Sequence, residues 1–89
     1  MTLHVNVNVD ALVKTTPGKL YAVILSAASG GAGTVTIRDG HDTSGEVIMK
    51  LTATANWTVP VILREPVVFQ RGLFIDVGSN VDSVFVQYE

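Results

Sequence analysis

Leu3-His4-Val5-Asn6-Val7-Asn8-Val9 alternates apolar and polar residues without a break. Only an extended chain, whose side chains point to opposite faces in turn, gathers the four apolar residues on one side and leaves His4, Asn6 and Asn8 on the other. The rest of the chain speaks the same language. Val, Ile and Thr make up 29 of the 89 residues, and these stiff β-branched side chains suit a pleated, half-buried surface better than a helix.

Turn signals then divide the chain every eight to twelve residues. The first strand is Leu3–Val9, with Ala11–Thr15 as its possible continuation, and Thr16-Pro17-Gly18-Lys19 is a turn in which Pro presets φ. Leu20–Ser26 is a continuous apolar run that periodicity alone would also allow as a short helix. Its shortness, and the Pro-Gly turn and Gly30–Gly33 that bracket it, favour a central strand. Thr34–Arg38 alternates again and stops at the turn signal Asp39-Gly40. After a polar loop, His41–Gly45, comes Glu46–Thr54, with Val47, Met49 and Leu51 on one face and Ile48 on the other. Trp57–Leu63 contains Pro60, which cannot donate to a ladder, so this segment is an edge strand, a bulge or an extended loop. Arg64-Glu65-Pro66 reads as a turn before a short strand, Val67–Phe69. Leu73–Val77 and Val81–Tyr88 read as a hairpin across Gly78-Ser79-Asn80, and Tyr21, Phe69, Phe74 and Phe85 as core. About eight short strands and no helix predict an all-β fold, an antiparallel β-sandwich or a small barrel, in a single domain spanning residues 1–89.

Composition narrows what such a fold can do. A chain of 9.5 kDa exposes roughly 5,000 Å² when folded and is marginally stable by itself. No cysteine is present, which removes disulfides, thiolate metal sites and cysteine nucleophiles. With 47% hydrophobic and only 16% charged residues and a mean hydropathy of +0.39, partner subunits are the expected source of further stability. The cations Lys14, Lys19, Arg38, Lys50, Arg64 and Arg71 are scattered and the formal charge is −2, so nucleic acid is not an expected partner. The wholly apolar run Tyr21–Leu25 is far shorter than the ~20 residues of a membrane helix, so no membrane partner is expected either. Met1–Asn6 has neither a basic nor an apolar leader region, so nothing suggests secretion and a cytosol-made protein is expected.

The densest polar cluster is Asp39–Glu46. As a calcium loop of the EF-hand type it puts His41, Ser44 and Lys50 where an oxygen ligand, a glycine and a glutamate belong, and so does not match. A different cation site from Asp39, Asp42 and Glu46 is conceivable, against the simpler reading of a turn and a solvated loop. Asp39, His41 and Ser44 name a hydrolase triad on paper, yet three residues inside one turn do not build a dry pocket with an oxyanion hole. Gly30-Gly31-Ala32-Gly33 lacks both the third glycine of the dinucleotide fingerprint and the Gly-Lys-Ser/Thr of a phosphate loop, and a strand follows it, not a helix. His4 reads as an exposed residue. Trp57 is either a stacking platform for a sugar or a core or interface anchor. No catalytic residue, cofactor or metal site is expected.

From Lys19 onward the order of segments resembles a recurrent type of small tailed-phage structural protein. The segments are the Leu20–Leu25 strand, the glycine-rich loop, Thr34-Val35-Thr36-Ile37-Arg38-Asp39-Gly40, Thr43–Ile48, Phe69–Val77 and the closing Val84–Tyr88. The resemblance is to capsid decoration (cement) proteins and other small β-sandwich virion components. It implies a homo-oligomeric jelly-roll, with a trimer favoured, made in the bacterial host cytoplasm and seated on the capsid surface against the major capsid protein or another virion component. It marks fold positions and transfers no functional residue. A regular strand with unpaired edges finds partners, so residues 1–15 are expected to serve as an arm or edge strand in assembly. Leu3, Val5, Val7 and Val9 would be buried against a neighbour, with Trp57 as a further interface residue. The alternative is a carbohydrate-binding or receptor-recognition module of a phage tail, acting through Trp57. An enzyme built on the Asp39–Glu46 loop ranks third.

Overall fold

A computed structural model describes residues 1–89. Eight strands follow one another: β1 Leu3–Val7, β2 Ala11–Lys14, β3 Gly18–Ala27, β4 Gly33–Asp39, β5 Glu46–Ala53, β6 Thr58–Phe69, β7 Leu73–Val77 and β8 Val81–Tyr88. They form two four-stranded antiparallel sheets, ordered β1-β8-β3-β6 and β2-β7-β4-β5. The pairings β1 with β8, β2 with β7, β3 with β6 and β4 with β5 are those of one long antiparallel hairpin. Rolling it up adds β3 beside β8 and β4 beside β7. This is the jelly-roll arrangement of a β-sandwich.

The core lies between the sheets. Leu20, Val23, Leu25, Val84 and Val86 from the first sheet meet Val35, Ile37, Leu73 and Ile75 from the second, and Phe69 at the end of β6 closes one flank. Most of these alternate with a residue on the opposite face, as the pleat requires; between Leu20 and Val23 a bulge in β3 breaks the alternation. The accessible surface of 4961 Å² equals the roughly 5,000 Å² of a compact monomer of this mass. The chain therefore closes its own sandwich.

Several local expectations change for identifiable reasons. Ala11–Lys14 does not continue the first strand; the chain crosses to the second sheet at Asn8-Val9-Asp10, and the Asp10 carboxylate accepts the Val77 N–H at 2.7 Å to fix the crossing. Arg64-Glu65-Pro66 is not a turn between strands. It is a bulge in the single long strand β6, where the register with β3 jumps from Ala22 opposite Ile62 to Leu20 opposite Val67. One strand split and two merged, so the count of eight survives by compensation. Leu73–Val77 and Val81–Tyr88 form no hairpin, because they lie in different sheets and Gly78-Ser79-Asn80 carries the chain across, with Asn80 at φ 57. In β5 the register shifts between Ile37–Met49 and Arg38–Val47. Ile48 is thus the extra residue of a β-bulge, and it packs on the core with Met49 and Leu51 while Val47 faces solvent. Of the aromatic residues read as core, only Phe69 is fully buried. Phe74 and Phe85 sit between inward neighbours (Leu73 and Ile75, Val84 and Val86), so the pleat turns both outward.

Candidate interaction surface

The polar cluster at one end of the sandwich resolves into structural fastenings. Both oxygens of Asp39 are engaged: Oδ2 accepts the Gln70 N–H at 2.9 Å and Oδ1 the Arg71 N–H at 2.8 Å. Burial pushes the Asp39 carboxyl up. The backbone amides of Gln70, Arg71 and Gly72 and the Arg71 charge outweigh it and hold the group below the usual carboxylate range. His41 Nε2 lies 3.1 Å from the Thr15 carbonyl and 2.8 Å from the Arg71 carbonyl. Both are acceptors, so Nε2 carries the proton. Asp42 accepts the Ser44 N–H at 2.9 Å and the Ser44 hydroxyl as well. Asp39 and His41 thus both fasten the backbone of Arg71 while Ser44 binds Asp42, and no hydrogen bond joins the three side chains to one another. A depression of about 390 Å³ lies here, lined by Gly40, His41, Asp42, Ser44, Gly45 and Arg71. Asp39, Asp42 and Glu46 do not converge into a group that could hold a cation. Gly72 shows how tight the fastening is: a Cβ there would stand 2.6 Å from the Lys14 carbonyl oxygen and 2.7 Å from His41 Cδ2.

At the opposite end, the Trp57 N–H closes a turn onto the Thr54 carbonyl at 2.9 Å, with Asn56 left-handed at φ 65. The Trp57 carbonyl accepts the Ala27 N–H at 2.9 Å. Its backbone is pinned, yet the residue is 67% exposed.

The residues expected to form an assembly surface do not share one face. Val5 and Val7 turn inward and pack on the core, while Leu3 is 45% and Val9 67% exposed. β1 already lies along β8 of its own chain. Trp57 precedes β6, at the other edge of the first sheet, three strand spacings or roughly 14 Å away.

Cross-strand partners point to the same face, which defines the outer surface of the first sheet. One row reads His4, Gln87, Ala22, Ile62; the next Asn6, Phe85, Ile24, Pro60; a third Ser83, Ser26, Thr58. None of these side chains is an acid, a lysine or an arginine. Ile62 is 69% exposed, Ile24 and Phe85 are half-buried, and the His4 ring stacks on Phe85 with centroids 5.8 Å apart. The signal for this surface is present in β3. A strand apolar on both faces normally belongs to a sheet covered on both sides, and Leu20–Leu25 is such a strand although the chain covers only one of its faces. No family model, curated protein or solved structure matches the chain.

Proposed function

We propose that the chain is a structural protein of a phage virion, a homo-oligomeric capsid decoration protein that stabilises the shell. It would be made in the bacterial host cytoplasm and carried on the capsid surface against the major capsid protein or another virion component; the resemblance favours a trimer. The observation that carries the proposal is the outer face of the first sheet, where three neighbouring rows carry no charge and present Ile62, Pro60, Ile24 and Phe85, and where β3 is apolar on both of its faces. A decoration protein requires no enclosed pocket. It requires a rigid scaffold that offers apolar surface for burial on assembly, and apolar patches of this kind mark interaction sites.

The test is attachment to purified capsid shells of a phage that encodes the chain. Ile62→Asp should weaken attachment by at least about thirtyfold, the loss of ~2 kcal/mol at an interface anchor. Its melting temperature should be unchanged, because Ile62 lies on the surface. Attachment of Ile62→Asp at the native level, or failure of the native chain to bind shells, overturns the proposal.

The exposure of Trp57 on a pinned turn supports a second reading, a glycan-recognition module of a phage tail. An indole held open to solvent suits stacking on a sugar ring. On that reading Trp57→Ala loses glycan binding and stays folded, whereas the decoration reading expects no glycan binding to lose.

A further inference from the structure

The sandwich has four open strand edges, and they are unequally protected against pairing with another chain. β5 carries Glu46 and Lys50 and the bulge at Ile48; β2 is four residues long with a register break between Leu12 and Lys14. β6 carries Pro60, Pro66, Arg64, Glu65 and its own break. The Ala27–Trp57 bond aims the odd residues at the start of β6 toward β3. Pro60 therefore leaves a missing N–H in the middle of the free edge. Charges, prolines, bulges and brevity are the means by which edges are kept from pairing.

β1 has none of them. Leu3 to Val7 pair with Tyr88 to Val84 in unbroken register, with no charge and no proline. Its free peptide groups can be assigned. Lys19 and Glu89 exchange both main-chain bonds, at 2.9 and 2.8 Å, so Phe85, Gln87 and Glu89 face β3 and Val84, Val86 and Tyr88 face β1. Leu3, Val5 and Val7 use their peptide groups on those partners. His4 and Asn6 hold theirs toward solvent.

We propose that this edge pairs with the same edge of a second copy, antiparallel about a two-fold axis passing between the two Val5 residues. Of the antiparallel registers that keep inner residues opposite inner residues, this one pairs the whole of β1. His4 and Asn6 of one copy exchange main-chain bonds with Asn6 and His4 of the other. Leu3 covers Val7, and Val5 meets Val5 at the close, non-hydrogen-bonded spacing. No like charges are set opposite each other, and β1 carries no acid, lysine or arginine at all. The two first sheets become one eight-stranded sheet, and both Phe85–Ile24 rows lie on the same side of it. A five-residue ladder buries far less than the ~1,200 Å² of a standard interface, so the pair is reversible, and a trimeric assembly would use a contact distinct from it.

The inference rests on the reading that copies of the chain associate, and the experiment separates the two. The chain has no cysteine, so Val5→Cys introduces a single thiol at the axis, where a cross-strand disulfide fits. Under a mild oxidant that takes up the two electrons, Val5→Cys should form a covalent dimer much faster than Val47→Cys on the β5 edge. Independently, Asn6→Pro removes an N–H that β8 does not use. It should leave the melting temperature near that of the native chain and weaken self-association at least about tenfold by sedimentation. If Val5→Cys cross-links no faster than Val47→Cys while the native chain still associates and Asn6→Pro associates as tightly, the two-fold pairing is overturned and self-association stands. If the native chain sediments as a monomer at the highest soluble concentration, both fall.

Discussion

On the outer face of the first sheet, Phe85 stands between Asn6 and Ile24, with Pro60 beyond. The corresponding row of the second sheet runs Leu12, Phe74, Arg38, Val47, and beside it lie Asp76, Thr36 and Lys50. Each face thus has one half-buried phenylalanine near its centre, in a different setting. In the second sheet Arg38 Nε reaches Asp76 Oδ2 at 3.1 Å and its Nη1 reaches the Gly45 carbonyl at 3.0 Å. That face thus pairs its arginine and its aspartate within the chain. In the first sheet the neighbours of Phe85 are the His4 ring, Asn6 and Ile24, with no ion pair among them. Two layers can pack equally well on their inner sides and still present unlike outer sides, one with an ion pair at its centre and one with three uncharged rows.

The sharpest way to break this comparison is to truncate both phenylalanines. Phe74→Ala and Phe85→Ala should cost similar amounts of fold stability, about 1–2 kcal/mol each for a half-buried ring. Only Phe85→Ala should also weaken shell attachment, by at least ~2 kcal/mol as an interface anchor. Equal loss of attachment in the two would mean that the outer faces are equivalent. Melting curves and a binding titration read both quantities.

A smaller effect is expected from Asp39→Asn at the end of β4. The amide retains one acceptor where two backbone N–H groups now meet a carboxylate, at a cost of about 1–2 kcal/mol. Attachment through the first sheet should be unaffected. Because the folded carboxyl titrates below its unfolded value, its contribution is complete above the unfolded pKa near 3.9 and disappears as pH falls through the lower folded one. Denaturation of the native chain and of Asp39→Asn across pH 2–6 should therefore show the largest gap at the upper end and convergence in strong acid.

Smallest of all, Asp76→Asn should cost about 0.5–1 kcal/mol through the Arg38 pair, whose side chains are 20% and 26% exposed. Part of that cost should vanish in high salt. The other ion pair, between the Met1 ammonium and Glu89 at 3.1 Å beside the first sheet, is exposed and should add little to the salt response.

Much of this architecture was legible before any coordinates. Alternation in Leu3–Val7, the turn at Asp39-Gly40 and the glycine-rich break before β4 depend on neighbours a few residues apart, and the pleat enforces them locally. The outward position of Phe74 and Phe85 was equally local, each being the middle residue of an apolar triplet, but a reading that assigns every aromatic residue to the core passes over it. The candidate surface was less accessible. His4, Phe85, Ile24 and Ile62 come from four strands, and only the pairing of β8 between β1 and β3 and of β6 beyond them sets them side by side.

Side-chain period and turn chemistry act over a few residues, and they suffice to make this chain form strands, to place most of its turns and to leave β3 apolar on both faces. Which strands share a sheet, that Arg64-Glu65-Pro66 is a bulge and not a turn, and that Asp39 and His41 fasten loops emerge only with the closed fold. Those outcomes depend on backbone partners tens of residues away, and hydrogen bonds between such partners exist only once the sheets have closed on one another.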